Sequence, residues 1–96
     1  MKKISFKGKL FKWEGPAAWY FVYLPKDLSQ KLRALPSKKK RGFNSIKVHA
    51  KIEKTEWNTS LFPTNDGPYL IAVKADVRKK EGLSDGDPVK IDCIFV

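Results

Sequence analysis

Residues 46 to 53 read Ile-Lys-Val-His-Ala-Lys-Ile-Glu, an alternation of apolar and polar side chains without a break. Successive side chains of an extended strand point to opposite faces, so this pattern belongs to a strand with one buried face and one wet face. Ile46, Val48, Ala50 and Ile52 make the inner row, and Lys47, His49, Lys51 and Glu53 the outer one. The same period opens the chain. Between residues 3 and 12, Ile4, Phe6 and Leu10 oppose Lys3, Lys7 and Lys9. Gly8 falls on the inner side, where a missing side chain permits a bend or the close approach of another backbone, as where a sheet curls into a barrel.

Further elements follow from local signals. The run Trp19-Tyr-Phe-Val-Tyr-Leu24 is continuously aromatic or branched and reads as a central strand packed on both faces. Pro25 ends it and suits the first turn of a helix in which Leu28, Leu32 and Leu35 share a face, with Lys26, Lys31 and Arg33 outside. Pro36 closes that helix, and Ser37 to Gly42 is an exposed charged loop. After Trp57, residues 58 to 68 are rich in Asn, Thr, Pro and Gly and read as a loop, followed by a strand from Tyr69 to Val73. A short helix is expected from Ala75 to Glu81, with Asp76 in its first turn and Gly82 as its C-terminal cap. Asp85-Gly86-Asp87 makes a tight turn, and a last strand from Val89 to Phe95 directs Val89, Ile91, Cys93 and Phe95 inward.

The two halves of the chain can be laid over one another. Phe6-Lys-Gly-Lys-Leu10 matches Val48-His-Ala-Lys-Ile52, Gly15-Pro16 matches Gly67-Pro68, and Val22 to Leu28 matches Ile71 to Val77 with Asp27 on Asp76. Strand, turn, strand, helix, strand therefore occurs twice, over about 3–47 and 46–96. Units this small cannot bury a face separately, which predicts one domain over residues 1–96, a barrel in which two similar halves interlock about a pseudo-twofold axis.

Composition narrows function mainly by exclusion. Cys93 is the only cysteine, so no internal disulfide and no thiolate-rich metal site can form, and a reducing cytoplasm is expected. The lysine-studded N-terminus has no apolar run, so neither export nor membrane insertion is expected. The sole histidine, His49, alternates onto a wet face, no nucleophile–histidine–acid arrangement surrounds it, and glycine-rich phosphate loops are missing. No cofactor, metal or catalytic residue is expected. Asp85, Asp87 and Asp92 read as turn and strand residues, because calcium loops need more oxygen ligands at fixed spacing.

Charge supplies the positive signal. Of a net charge of +10, residues 1–54 hold fifteen Lys or Arg against three acids (+12), and residues 55–96 hold five against seven (−2). An acidic partner, nucleic acid or an acidic protein, fits the basic half. Lys38, Lys39, Lys40 and Arg41 are its densest run. Phe11, Trp13 and Phe43 lie close to basic residues, as rings that stack on single-stranded bases do.

Residues 73 to 91 carry a strand, a basic helix around Arg78, Gly82-Leu83, the Gly86-Asp87 turn and an alternating strand, in an order that resembles AbrB and MazE type swapped-hairpin modules of bacterial transcription factors and antitoxins. A longer pattern, Gly8, Trp19, Phe21-Val22, Leu24-Pro25, Gly42, Val48, Trp57, Ser60-Leu61, Pro63, Gly67, Tyr69, Val77-Arg78, Gly82-Leu83, Gly86-Asp87 and Val89, resembles a bacterial domain-of-unknown-function family, DUF1905. That resemblance implies a mainly β, single-chain double-split β-barrel with two short helices and no established activity. Within the pattern, Trp57, Ser60, Tyr69 and Arg78 are polar-tipped or charged and suit the mouth of a pocket for a small anionic ligand; the alternative, which is favoured, has Trp57 and Tyr69 plug the core while Arg78 pairs with a carboxylate or a helix carbonyl. Three function classes stay open: a non-enzymatic module for an acidic partner, an anionic-ligand pocket, and a structural or protein-interaction unit.

Overall fold

The computed structural model describes residues 3–15, 19–36, 45–65 and 67–96. Six strands and two helices follow in the order β1 (Lys3–Lys12), β2 (Tyr20–Tyr23), α1 (Lys26–Arg33), β3 (Ile46–Ile52), β4 (Thr55–Phe62), β5 (Leu70–Ala72), α2 (Ala75–Glu81) and β6 (Pro88–Phe95). All pairings are antiparallel and close into one barrel with the strand order β1-β2-β5-β4-β3-β6. The mainly β barrel with two helices expected from the sequence is the fold found.

Two long strands are each shared between neighbours. β1 pairs with β6 along Lys3 to Lys9 and then with β2 along Leu10 to Lys12. β4 pairs with β3 along Thr55 to Leu61 and meets β5 only through Leu61 and Phe62. At the first of these splits β2 crosses close above Gly8, where an added Cβ would stand 2.6 Å from Val22 Cγ1 and 3.0 Å from the Tyr23 carbonyl oxygen. At the second, the buried Trp57 donates its indole N–H to the Ala72 carbonyl at 3.3 Å, so a side chain takes the acceptor that β4 leaves unpaired.

Exchanging β1 for β4, β2 for β5 and β3 for β6 returns the same ring of pairings. The sequence match set Phe6–Leu10 against Val48–Ile52, that is β1 against β3, whereas the ring is symmetric for β1 against β4. The difference arises because β4 was read as loop beyond Trp57. Thr55, Trp57 and Leu61 in fact point inward and Glu56, Asn58 and Phe62 outward. Glu56, Asn58 and Ser60 sit on the wet face of a hairpin whose two-residue turn, Glu53-Lys54, carries no glycine or asparagine; Glu53 itself adopts the positive φ, 51°, that such turns need.

The core is the inner row of every strand, with Leu10, Val22, Leu61, Ile71, Ile91 and Cys93 fully buried. Leu32 of α1 and Val77 of α2 anchor the helices to it. The Ser29 hydroxyl of α1, also buried, accepts the Tyr69 N–H at 3.0 Å. Arg33, from the same helix, donates to the Thr64 and Gly67 carbonyls. α2 ends at Gly82, whose φ of +64° is the left-handed cap expected there. Among the described residues no helix is long and apolar enough to cross a membrane.

Candidate functional site

A strand that turns its even positions inward must turn its odd ones outward. In β1 those are Lys3, Ser5, Lys7, Lys9 and Phe11, so an aromatic ring ends a row that is otherwise basic and polar. The register sets Phe11 against Phe21, Phe21 against Ala72, Tyr23 against Leu70, and Leu70 against Phe62. All of these share the outer face. The pairing ends where Trp13 N–H donates to the Trp19 carbonyl at 2.8 Å, which brings the two indoles to the same corner.

The rings form a continuous row on this wall. Trp19 stacks on Phe21 with centroids 6.1 Å apart and planes within 9°, Phe21 leans on Phe11 at 5.9 Å, and Phe11 stacks on Tyr23 at 4.8 Å. Phe11, Trp13, Trp19, Phe21, Tyr23, Thr64 and Leu70 line a groove of about 520 Å³. The two end rings are open to water, with Trp19 51% and Tyr23 46% exposed, as is Trp13 at 46%. Exposed aromatic area of this extent makes this wall the candidate site, because exposed apolar patches rimmed by polar residues often mark contact surfaces. This corrects the expectation that Trp19 to Leu24 packs on both faces: only Val22 and Leu24 are buried, and the strand's other face is the groove.

The residues singled out from the sequence are dispersed. Lys38, Lys39, Lys40, Arg41 and Phe43 lie outside the described residues. Trp57 and Tyr69 belong to the core, and burial raises the Tyr69 hydroxyl pKa while the Arg33 guanidinium, 5.6 Å from its ring centre, opposes that rise. Ser60 is on the outer face of β4, in a separate cleft with Lys47, Asn58, Trp19 and Lys74. Arg78 leans over the Tyr20 ring at 3.7 Å and donates Nε–H to the Val73 carbonyl at 3.3 Å. Trp57, Ser60, Tyr69 and Arg78 therefore do not meet around one cavity.

The ionisable groups have structural partners. Both ring nitrogens of His49 face acceptors, Nδ1 toward Asn58 Oδ1 at 2.8 Å and Nε2 toward Glu56 Oε1 at 2.7 Å. A doubly protonated ring satisfies both, so these bonds raise the His49 pKa, and the same contact lowers that of Glu56. Asp85 accepts the Lys12 N–H and Asp87 the Ser84 N–H, while Asp92 accepts the Ser5 hydroxyl, each tying a turn or strand. Burial, aided by Asp92, pushes the Cys93 thiol up to about 12, which leaves it a protonated core side chain rather than a nucleophile. Among the described residues, no group of three or more His, Cys, Asp or Glu is arranged to hold a metal ion.

Trp19, Phe21, Tyr23 and Leu70 are missed as surface residues because an unbroken apolar run reads as interior, and Phe62 because residues 58 to 68 read as a loop. The signal that could have placed them was Phe11, which shares its parity with Lys7 and Lys9 and carries β2's Phe21 outward with it. No curated protein matches this sequence. The pattern running from Gly8 through the split, the buried Trp57 and the Gly82 cap is a family's, since the model of the domain of unknown function DUF1905 matches residues 6–92, and the chain belongs to that family.

Proposed function

We propose that this protein is a non-enzymatic binding module that takes up single-stranded nucleic acid on the aromatic wall of β1 and β2. The observation that carries the reading is the row Trp19, Phe21, Phe11 and Tyr23, stacked and open at both ends, beside the outward lysines Lys7 and Lys9. Bases stack on aromatic rings whatever their identity, and lysines track the phosphates. A protein partner would match the rings equally well, but the charge of +12 on residues 1–54 favours a polyanion. Duplex DNA presents no free base faces to this wall, so the single strand is preferred.

The test is a titration of labelled oligothymidylate, oligouridylate and a duplex of equal length, followed by anisotropy at low and physiological salt. The expected result is binding of both single strands at low salt, weaker binding of the duplex, and a steep loss of affinity as salt rises. No single-strand binding at low salt, or self-association through this wall in sedimentation, defeats the proposal.

A further inference from the structure

Arg78, like Arg33, is held by an aromatic ring and a backbone carbonyl, but it sits closer to its ring, 3.7 Å against 5.6 Å from the centroid. The Tyr20 ring supports its guanidinium from one face, and the bond from Nε to the Val73 carbonyl fixes its plane. A guanidinium carries five N–H donors, and only the Nε donor is spent here; the terminal NH₂ groups make no hydrogen bond to any described residue. Arg78 lines a cleft of about 230 Å³ together with Trp19, Tyr20, Ala72, Val73, Lys74 and Ala75, and no acidic side chain is among them. Lys74 likewise forms no ion pair among the described residues. A stacked, tethered guanidinium loses little freedom on binding, and its planar fork matches the oxygens of a phosphate. Trp19, the end ring of the aromatic row, lines both this cleft and the groove.

We propose that Arg78 and Lys74 form a phosphate subsite, which takes the backbone phosphate next to the base stacked on Trp19. The proposal rests on the nucleic-acid reading for the source of the phosphate, a diester in a strand, while the chemistry would equally accept a free phosphate or a monoester. Ser60, Trp57 and Tyr69 take no part in it.

The experiment measures the salt dependence of oligothymidylate binding for the full chain and for K74Q, R78Q and R78K. K74Q alters a side chain that makes no hydrogen bond or ion pair to any described residue, so it reports on the subsite even where R78Q disturbs the Tyr20 stack. Each neutralising variant is expected to flatten the slope of log affinity against log salt by part of about 0.7, the share of the one phosphate that both side chains contact on a single strand. R78Q should also weaken binding about tenfold at low salt, as loss of a charge-assisted hydrogen bond does, and R78K should keep the slope while recovering only part of the affinity. Unchanged slopes in both K74Q and R78Q, with wild-type binding intact, overturn the subsite and leave the aromatic wall standing. If the oligonucleotide does not bind at all, the functional reading falls first. Titration with inorganic phosphate and thymidine 5′-monophosphate, followed at the Arg78 Nε–H resonance by NMR, then decides the subsite: a saturable shift retains it for a free phosphate, and no shift removes it.

Discussion

Leu10 against Val22 and Leu61 against Ile71 occupy equivalent places in the ring, and all four side chains are fully buried. One residue further along, on the outside, Phe11 meets Phe21 in the first corner and Phe62 meets Leu70 in the second. Beyond that the corners part: the first continues into Tyr23, Trp19 and Trp13, while the second has Ala72 at the place of Tyr23. Inner positions converge because both corners fill one core, and close packing leaves little choice of size or polarity. Outer positions are under no such demand, so a concentration of aromatic rings on one corner, in the half that also holds the excess of positive charge, is where function separates from fold. We propose that the two halves derive from one repeated unit, matched β1 with β4, and that the binding surface belongs to the first of them.

The comparison breaks most sharply at the splits. Gly8→Ala puts a Cβ against the stiff, buried Val22 side chain and the Tyr23 carbonyl, and should cost about 3 kcal/mol, at the upper end for overpacking. Thr59→Ala, at the equivalent place on β4, removes atoms rather than adding them and should cost less than about 1 kcal/mol. Urea unfolding of both variants checks this, and equal losses would mean that the two splits are not built differently.

Ring removal sharpens the contrast at the surface. Phe11→Ala should weaken oligonucleotide binding by about 1–2 kcal/mol, the worth of one base stack, whereas Phe62→Ala should weaken it by less than half as much. Both variants should fold, as their circular dichroism would report. A larger effect from Phe62 would move the site to the second corner.

The smallest effect belongs to the wet face of the β3–β4 hairpin, far in character from either corner. His49 has its pKa raised above its ordinary 6.5 by Asn58 and then Glu56, so its stabilising contribution is whole below pH 6.5 and fades as pH climbs through the raised value. Glu56 has its pKa lowered below its ordinary 4.5, mainly by His49, so its contribution is present above 4.5 and fades as pH falls through the lowered value. The pair therefore stabilises most between pH 4.5 and 6.5. Thermal melts across pH should show a shallow maximum there that His49→Gln flattens, and an unchanged profile would discard the pair as a contributor.

Much of the barrel was legible because strands with one wet face announce themselves. β1, β3 and β6 were readable from alternation, α2 from Asp76 and its Gly82 cap, and the close approach at Gly8 from a glycine on an inner row. β4 was hidden because Asn58, Thr59 and Ser60 lower its apolar content and the hairpin turn at Glu53 lacks the usual turn residues. The site was legible only in outline. Phe11 and Trp13 stood out beside lysines, but whether Phe21 and Tyr23 join them depends on the β1–β2 register, a long-range pairing that no local pattern encodes. Trp57 and Tyr69 show the complementary case: a polar tip allows either a pocket or the core, and the structure has the core, where the Trp57 indole N–H and the Tyr69 backbone N–H find partners and both rings are buried.

The three tryptophans offer the most direct measurement, since Trp13 and Trp19 are exposed on the aromatic wall and Trp57 is buried away from it. Oligothymidylate at low salt should quench the tryptophan emission of the full chain, and the quenching should vanish in W13F/W19F, which keeps Trp57 alone. Absence of quenching in the wild-type chain, or quenching that persists with only Trp57 present, would contradict a base-stacking surface on β1 and β2.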